Sequence, residues 1–103
     1  MERKVIWSPE ALGDLEQIRD YIGRDSLHYA FTIVDDILSS SKTLDRFSKR
    51  GRIVPELQEE NIREIFVKRY RLIYEISEHR VDILTALHMS RDFMTAWSER
   101  IAE

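Results

Sequence analysis

An α+β domain with the order β-α-α-β-β-β and a short C-terminal helix is what the apolar spacing of this chain predicts, with two N-terminal helices on one face of a small, mainly antiparallel sheet. Three observations carry that reading. Apolar residues recur at helical spacing through residues 9–47, residues 63–92 (REIFVKRYRLIYEISEHRVDILTALHMSRD) alternate as two consecutive hairpins, and residues 48–61 between them (SKRGRIVPELQEEN) hold Gly51 and Pro55 amid charges and read as a loop. With 103 residues, 43% of them hydrophobic, the chain supports one core and one domain, 1–103.

Each element has its own justification. Lys4 to Trp7 is a short β-prone run. Ser8-Pro9 then reads as an N-cap followed by proline in the first helical position, where its missing N–H costs nothing. Leu12, Leu15, Ile18 and Ile22 form one apolar stripe, and Gly23 is suited to a left-handed stop. Asp25-Ser26 offers a second cap, after which Ala30, Phe31, Ile33, Val34, Ile37, Leu38, Leu44 and Phe47 trace a broader face, so the second helix is expected to run to about Phe47.

Turns at Lys68-Arg69 and Glu78-His79 set the register of the meander by pairing Val67 with Tyr70 and Ser77 with Arg80. Strict alternation from there puts Ile65, Val67, Tyr70, Leu72, Tyr74, Ile76, Val81, Ile83, Thr85 and Leu87 under the helices. The opposite face receives Glu64, Phe66, Arg71, Ile73, Glu75, Asp82, Leu84, Ala86 and His88, which is too apolar for a face meant only for water. Phe93, Met94, Trp97 and Ile101 recur at helical spacing, and that tail helix is expected over this face or over the sheet edge.

Composition bounds the function. No stretch approaches the roughly 20 apolar residues of a membrane span, and the N-terminus lacks the apolar run of a signal peptide, so a cytoplasmic protein without membrane contact is expected. Zero cysteines exclude a disulfide framework, a thiolate zinc site and a cysteine nucleophile. Isolated His28 and His79 have no metal-ligand spacing, and no G-x-S-x-G, P-loop or Rossmann signature occurs, so neither metal nor cofactor is expected. Net charge is −3, against the basic footprint of a phosphate-binding protein. Lys+Arg against Asp+Glu number 6 and 9 over residues 1–47, 9 and 7 over 48–91, and 1 and 3 over 92–103, leaving the sheet region locally positive.

The segments SPEALGDLEQIRDYI, GRIVPEL, IREIFVKRYRLIYEI and ILTALHMSRDF, in that order and spacing across residues 4–93, resemble the ParE branch of the RelE/ParE toxin superfamily. The resemblance implies the toxin of a type II toxin–antitoxin pair, of the kind associated with plasmid stabilization and neutralised by an antitoxin whose C-terminal segment wraps it. ParE-like members poison DNA gyrase, whereas RelE-like members cleave mRNA on the ribosome. A third possibility is an inactive homologue that only binds antitoxin.

Cutting RNA by 2′-OH attack without a metal needs a base, an acid for the 5′-oxygen and cations on the phosphorane. The resemblance implies Arg71, His88 and Arg63 for those roles. Arg71 matches the family's arginine after the strand tyrosine. Arg63 stands near the first of two RelE lysines, but the second falls on Ile65, and strand parity puts Arg63 at the core margin as a partner for loop carboxylates such as Glu59 or Glu60. Phe93 and Trp97 stand where the RelE branch uses a tyrosine, and neither transfers a proton. His88 is the remaining candidate, with Glu64 or Glu75 as its carboxylate. The gyrase-inhibitor reading needs no catalytic constellation, and there Arg71, His88, Arg91, Phe66 and Ile73 form a recognition face for an acidic amphipathic antitoxin segment. Asp92, after Ser90, is expected to start the last helix.

Overall fold

In the computed structural model, which describes residues 2–102, the chain runs β1 (Lys4–Trp7), α1 (Pro9–Gly23), α2 (Leu27–Lys42), β2 (Arg52–Ile53), β3 (Ile62–Val67), β4 (Tyr70–Ile76), β5 (Arg80–His88) and α3 (Phe93–Ile101). Two single 3-10 turns, Thr43–Asp45 and Ser48–Arg50, follow α2. None of these helices is long and apolar enough to cross a membrane.

Side-chain oxygens start all three helices. Ser8 Oγ accepts from Ala11 N at 3.0 Å, Ser26 Oγ from Tyr29 N at 3.1 Å, and an Asp92 carboxylate oxygen from Thr95 N at 3.0 Å, each satisfying one orphan donor of a first turn. Two boundaries differ from expectation. α1 runs through Gly23 without a left-handed residue, because Asp25 and Ser26 N–H both donate to the Ile22 carbonyl as the chain turns straight into the Ser26 cap. α2 stops at Lys42, and the 3-10 turns carry Phe47 out to solvent at 64% exposure instead of onto the helix face.

The five strands lie in the order β1-β5-β4-β3-β2, parallel between β1 and β5 and antiparallel elsewhere. Both expected turns are present, with Val67 opposite Tyr70 and Ser77 N donating to Arg80 O. The segment expected as a loop contains the two-residue β2, paired to Arg63 and Glu64. Gly51 is required just before it. A Cβ there would sit 2.5 Å from both the Glu64 carbonyl and the Tyr74 hydroxyl, which donates to Ser48 O and accepts from Gly51 N.

Strict alternation fails at one step of β5. Ile73 pairs with Thr85 and Tyr74 with Ile83, so Leu84 has no partner in the ladder, and this bulge inverts the parity of every residue after it. Ala86 consequently joins Leu72, Tyr70, Leu15 and Ile18 in the core under α1 and α2, and Leu87 joins Ile73 on the other face. Thr85, also assigned to the core by alternation, donates to Asp14 Oδ2 of α1 at 2.8 Å. Ile33, Ile37, Leu44, Leu72 and Ile83 are at 1% exposure or less, each contributing about 1.5–3 kcal/mol of burial. α3 covers the far face, where Phe93, Ala96 and Trp97 pack with Val54, Ile62, Ile73 and Leu87, while Met94 and Ile101 stay exposed.

Candidate functional site

The bulge divides the expected site. Arg71, opposite Leu87 and Phe66, looks toward α3, whereas His88, opposite Tyr70, lies on the α1–α2 side, its ring edge-on to the Tyr70 ring with centroids 5.3 Å apart. The two residues that strict alternation puts together are on opposite faces of the sheet.

Arg71 is buried in an ionic cluster. Its Nε donates to Glu64 Oε1 at 2.5 Å, and Nη1 and Nη2 donate to the two carboxylate oxygens of Glu56 at 2.9 and 2.8 Å. The guanidinium also lies 4.7 Å from the Phe93 ring centroid. Glu64, wholly buried, takes a second cation from Arg52 at 2.8 Å, and Arg52 in turn stacks over Phe66 at 4.9 Å. The hydrogen bonds from Arg71 hold the Glu56 carboxyl below its usual value against the opposing effect of partial burial, and the same bonds favour the charged guanidinium further. A guanidinium with three N–H donors committed to two carboxylates has little charge left for a phosphate.

Arg63 behaves as strand parity anticipates, at the core margin, although its partners are backbone carbonyls. Nη1 donates to Gly51 O at 3.0 Å and Nε to Glu60 O at 3.2 Å, which fastens β3 to the preceding loop in place of the expected carboxylate pairing. Glu64 and Glu75, the suggested carboxylates for His88, stand on the α3 side, Glu64 committed to Arg71 and Arg52 and Glu75 paired across the ladder with Asp82. Ile73 is fully buried beneath α3 and Arg71 nearly so, which leaves Phe66 as the one member of the expected recognition face on the α3 side that is open to solvent. Burial pushes the hydroxyls of Tyr70 and Tyr74 up, with Tyr29 and Tyr21 adding to the effect at Tyr70, away from proton transfer near neutrality.

His88 and Arg91 belong to a different place, a cleft of about 380 Å³ between α1 and the end of β5, lined also by Asp14, Gln17, Tyr21 and Tyr70. Ser90 N donates to His88 Nδ1 at 3.1 Å, so the neutral imidazole carries its proton on Nε2. Arg91 is exposed, 3.7 Å from Glu99. Asp14 is structural there. Its Oδ2 accepts from Thr85 Oγ1 and Ala86 N, and its Oδ1 from Arg100 Nη2 of α3 at 2.7 Å. The α1 side of this cleft was not legible as a site, because Asp14, Gln17 and Tyr21 carry only the helix's polar spacing; the acidic arm of the Arg71 cluster was equally hidden, although Glu56 stands inside the GRIVPEL segment.

A cation and an imidazole over a partly apolar floor, with two phenols alongside, can hold an acidic or amphipathic segment. Comparison with known proteins agrees with a toxin of this kind. The family model described as the ParE toxin of type II toxin-antitoxin system, parDE, matches residues 5–93. Toxin RelE2 of Caulobacter vibrioides is 32% identical over 89 residues, covering 85% of this chain and 97% of that protein. A solved structure titled chromosomal ParDE TA system from P. aeruginosa shares the fold at a TM-score of 0.71 and 20% identity, covering 84% of this chain and 96% of that one. The match over residues 5–93, with the same element order, makes this chain a member of the ParE toxin family of type II toxin–antitoxin systems.

Proposed function

We propose that this toxin acts in the cytoplasm by binding proteins and not by cutting RNA, that its target is DNA gyrase, and that its antitoxin covers the His88–Arg91 cleft. One observation carries the reading: the candidate nuclease residues do not converge. Arg71 is neutralised by Glu56 and Glu64 on the α3 face, His88 lies on the other face without a carboxylate partner among the described residues, and Arg63 is spent on backbone carbonyls. Metal-independent RNA cleavage needs its acid, base and cations within reach of one phosphate. Binding asks for a surface, and the cleft supplies one. This moves the antitoxin contact from the sheet face, where Arg71 and Ile73 are buried, to the end of β5 beside α1.

Inducible expression tests the target. The expected response is induction of the DNA-damage response with filamentation, together with loss of supercoiling by gyrase in the presence of the purified chain. Arrest of translation, with messages cut at codon positions and gyrase unaffected, would show a ribosome-dependent mRNA endonuclease instead. His88→Ala is expected to change toxicity by less than about threefold while weakening the antitoxin complex. Loss of toxicity in a His88→Ala chain that folds and still binds antitoxin defeats the binding-only mechanism.

A further inference from the structure

The charge of this acidic chain is sorted very unevenly, and its most basic corner is a cleft separate from both places described above, joined to the Arg71 cluster only through Arg52. Residues 42–52 hold five cations, Lys42, Arg46, Lys49, Arg50 and Arg52, against the one carboxylate of Asp45. The 3-10 turns fold Arg46, Lys49 and Arg50 around a shallow cleft of about 380 Å³, and Arg3 joins them from the start of the chain, its Nη1 donating to Ser48 Oγ and its N–H to Asp45 O. None of the four cations lining this cleft forms an ion pair among the described residues, the Arg50 guanidinium donating only to Thr43 Oγ1; Lys4, Arg24, Lys42, Arg63, Lys68 and Arg69 are also without one, but only here do four such cations line one cleft. Between them stands Phe47, 64% exposed, a ring that helical spacing assigns to the core and the fold instead presents to solvent.

Clustered cations without a carboxylate partner store mutual repulsion that an anion relieves. An exposed aromatic ring among them offers a planar face as well. Phosphates along one side and a ring for an unstacked base are the two components of single-strand recognition. An acidic peptide would answer the cations and leave the ring face without a planar partner, and a duplex keeps its bases stacked on one another. We propose that this corner binds single-stranded DNA, with phosphates on Arg46, Lys49 and Arg50 and one base stacked on Phe47. The choice of DNA over RNA rests on the gyrase reading, which puts the toxin beside a DNA-processing enzyme; the site itself does not.

Fluorescence anisotropy of the full chain with a labelled oligo-dT of about 12 nucleotides, the matching duplex and an oligo-rU tests this. Three phosphate contacts to a single strand give a slope of about −2 for log K against log salt. Arg46→Glu with Lys49→Glu is expected to lower single-strand affinity by more than tenfold and flatten that slope, and the milder Arg46→Gln with Lys49→Gln to act in the same direction. Phe47→Ala is expected to cost roughly tenfold on the single strand and nothing on the duplex. All these side chains are exposed, and melting curves verify that the variants fold. Single-strand affinity that survives both charge variants, or equal binding of duplex and single strand with Phe47→Ala silent, overturns the site. Tighter binding of oligo-rU overturns the assignment to DNA. Supercoiling by gyrase, measured in parallel, separates the two readings: DNA held at this corner with gyrase untouched sinks only the target, and gyrase inhibited without DNA binding sinks only the site.

Discussion

Arg71 carries a charge that its own neighbours cancel, and its role is therefore to hold β3, β4, α3 and the loop before β3 in one arrangement. Arg71→Met keeps most of the volume but leaves the buried Glu64 carboxylate with Arg52 alone, and a loss of about 3–5 kcal/mol in urea unfolding is expected. Adding Glu64→Leu removes the stranded charge, so the double variant is expected to recover much of that loss; a double variant as unstable as the sum of both singles would show that the cluster is not coupled. The acid response has a defined sign. Glu56 has its carboxyl lowered from 4.5 in the folded chain, so its contribution is complete above about pH 4.5 and is lost as pH falls through the folded value. Melting curves from pH 7 to 3 are expected to show this slope, and Glu56→Gln to remove it. Strand parity alone tells which way Arg71 points, because one turn fixes the register. Its burial was not legible, since it depends on where Glu56 comes to rest, and a loop's path is not encoded in any period.

At the scale of elements, helices and turns follow from caps and spacing, and the exceptions have physical causes. Phe31 and Phe47 fit the helical period yet lie exposed, Phe31 on the solvent side of α2, which buries Ala30, Ile33 and Ile37, and Phe47 because the helix ends at Lys42 and 3-10 turns follow. The Leu84 bulge is invisible to alternation, which assigns His88 and Ala86 to the wrong face from one unpaired residue onward. α3 supplies the cover that the apolar far face called for. Phe93 is its anchor, 3% exposed, stacked on Trp97 at 5.7 Å and capped by the Arg71 guanidinium. Phe93→Ala is expected to cost about 3–5 kcal/mol and to speed hydrogen exchange throughout α3. Exchange unchanged in α3 would mean that Arg100, bound to Asp14 and to the Leu84 carbonyl, holds the helix without it.

Over the whole molecule, the family and the fold were readable from ordered segments spread along 90 residues, while the site was not, because a site depends on which faces three elements share. Local charge was equally misleading: the positive excess over residues 48–91 includes Arg52, Arg71, Arg80 and Arg91, which are paired, whereas Arg3, Arg46, Lys49 and Arg50, with no ion pair among the described residues, share one cleft across that boundary. The pairing of β1 with β5 joins Lys4 to Arg80, the longest reach in the sheet. A ribosome adds residues at about 5–20 per second, so the first strand waits roughly 4–15 s for its partner to be made. During that interval α1 and α2 are already synthesised but have no complete sheet to rest on. The order of synthesis thus makes β5, the central partner of both β1 and β4, the piece whose arrival closes the sheet over the apolar faces of the two helices.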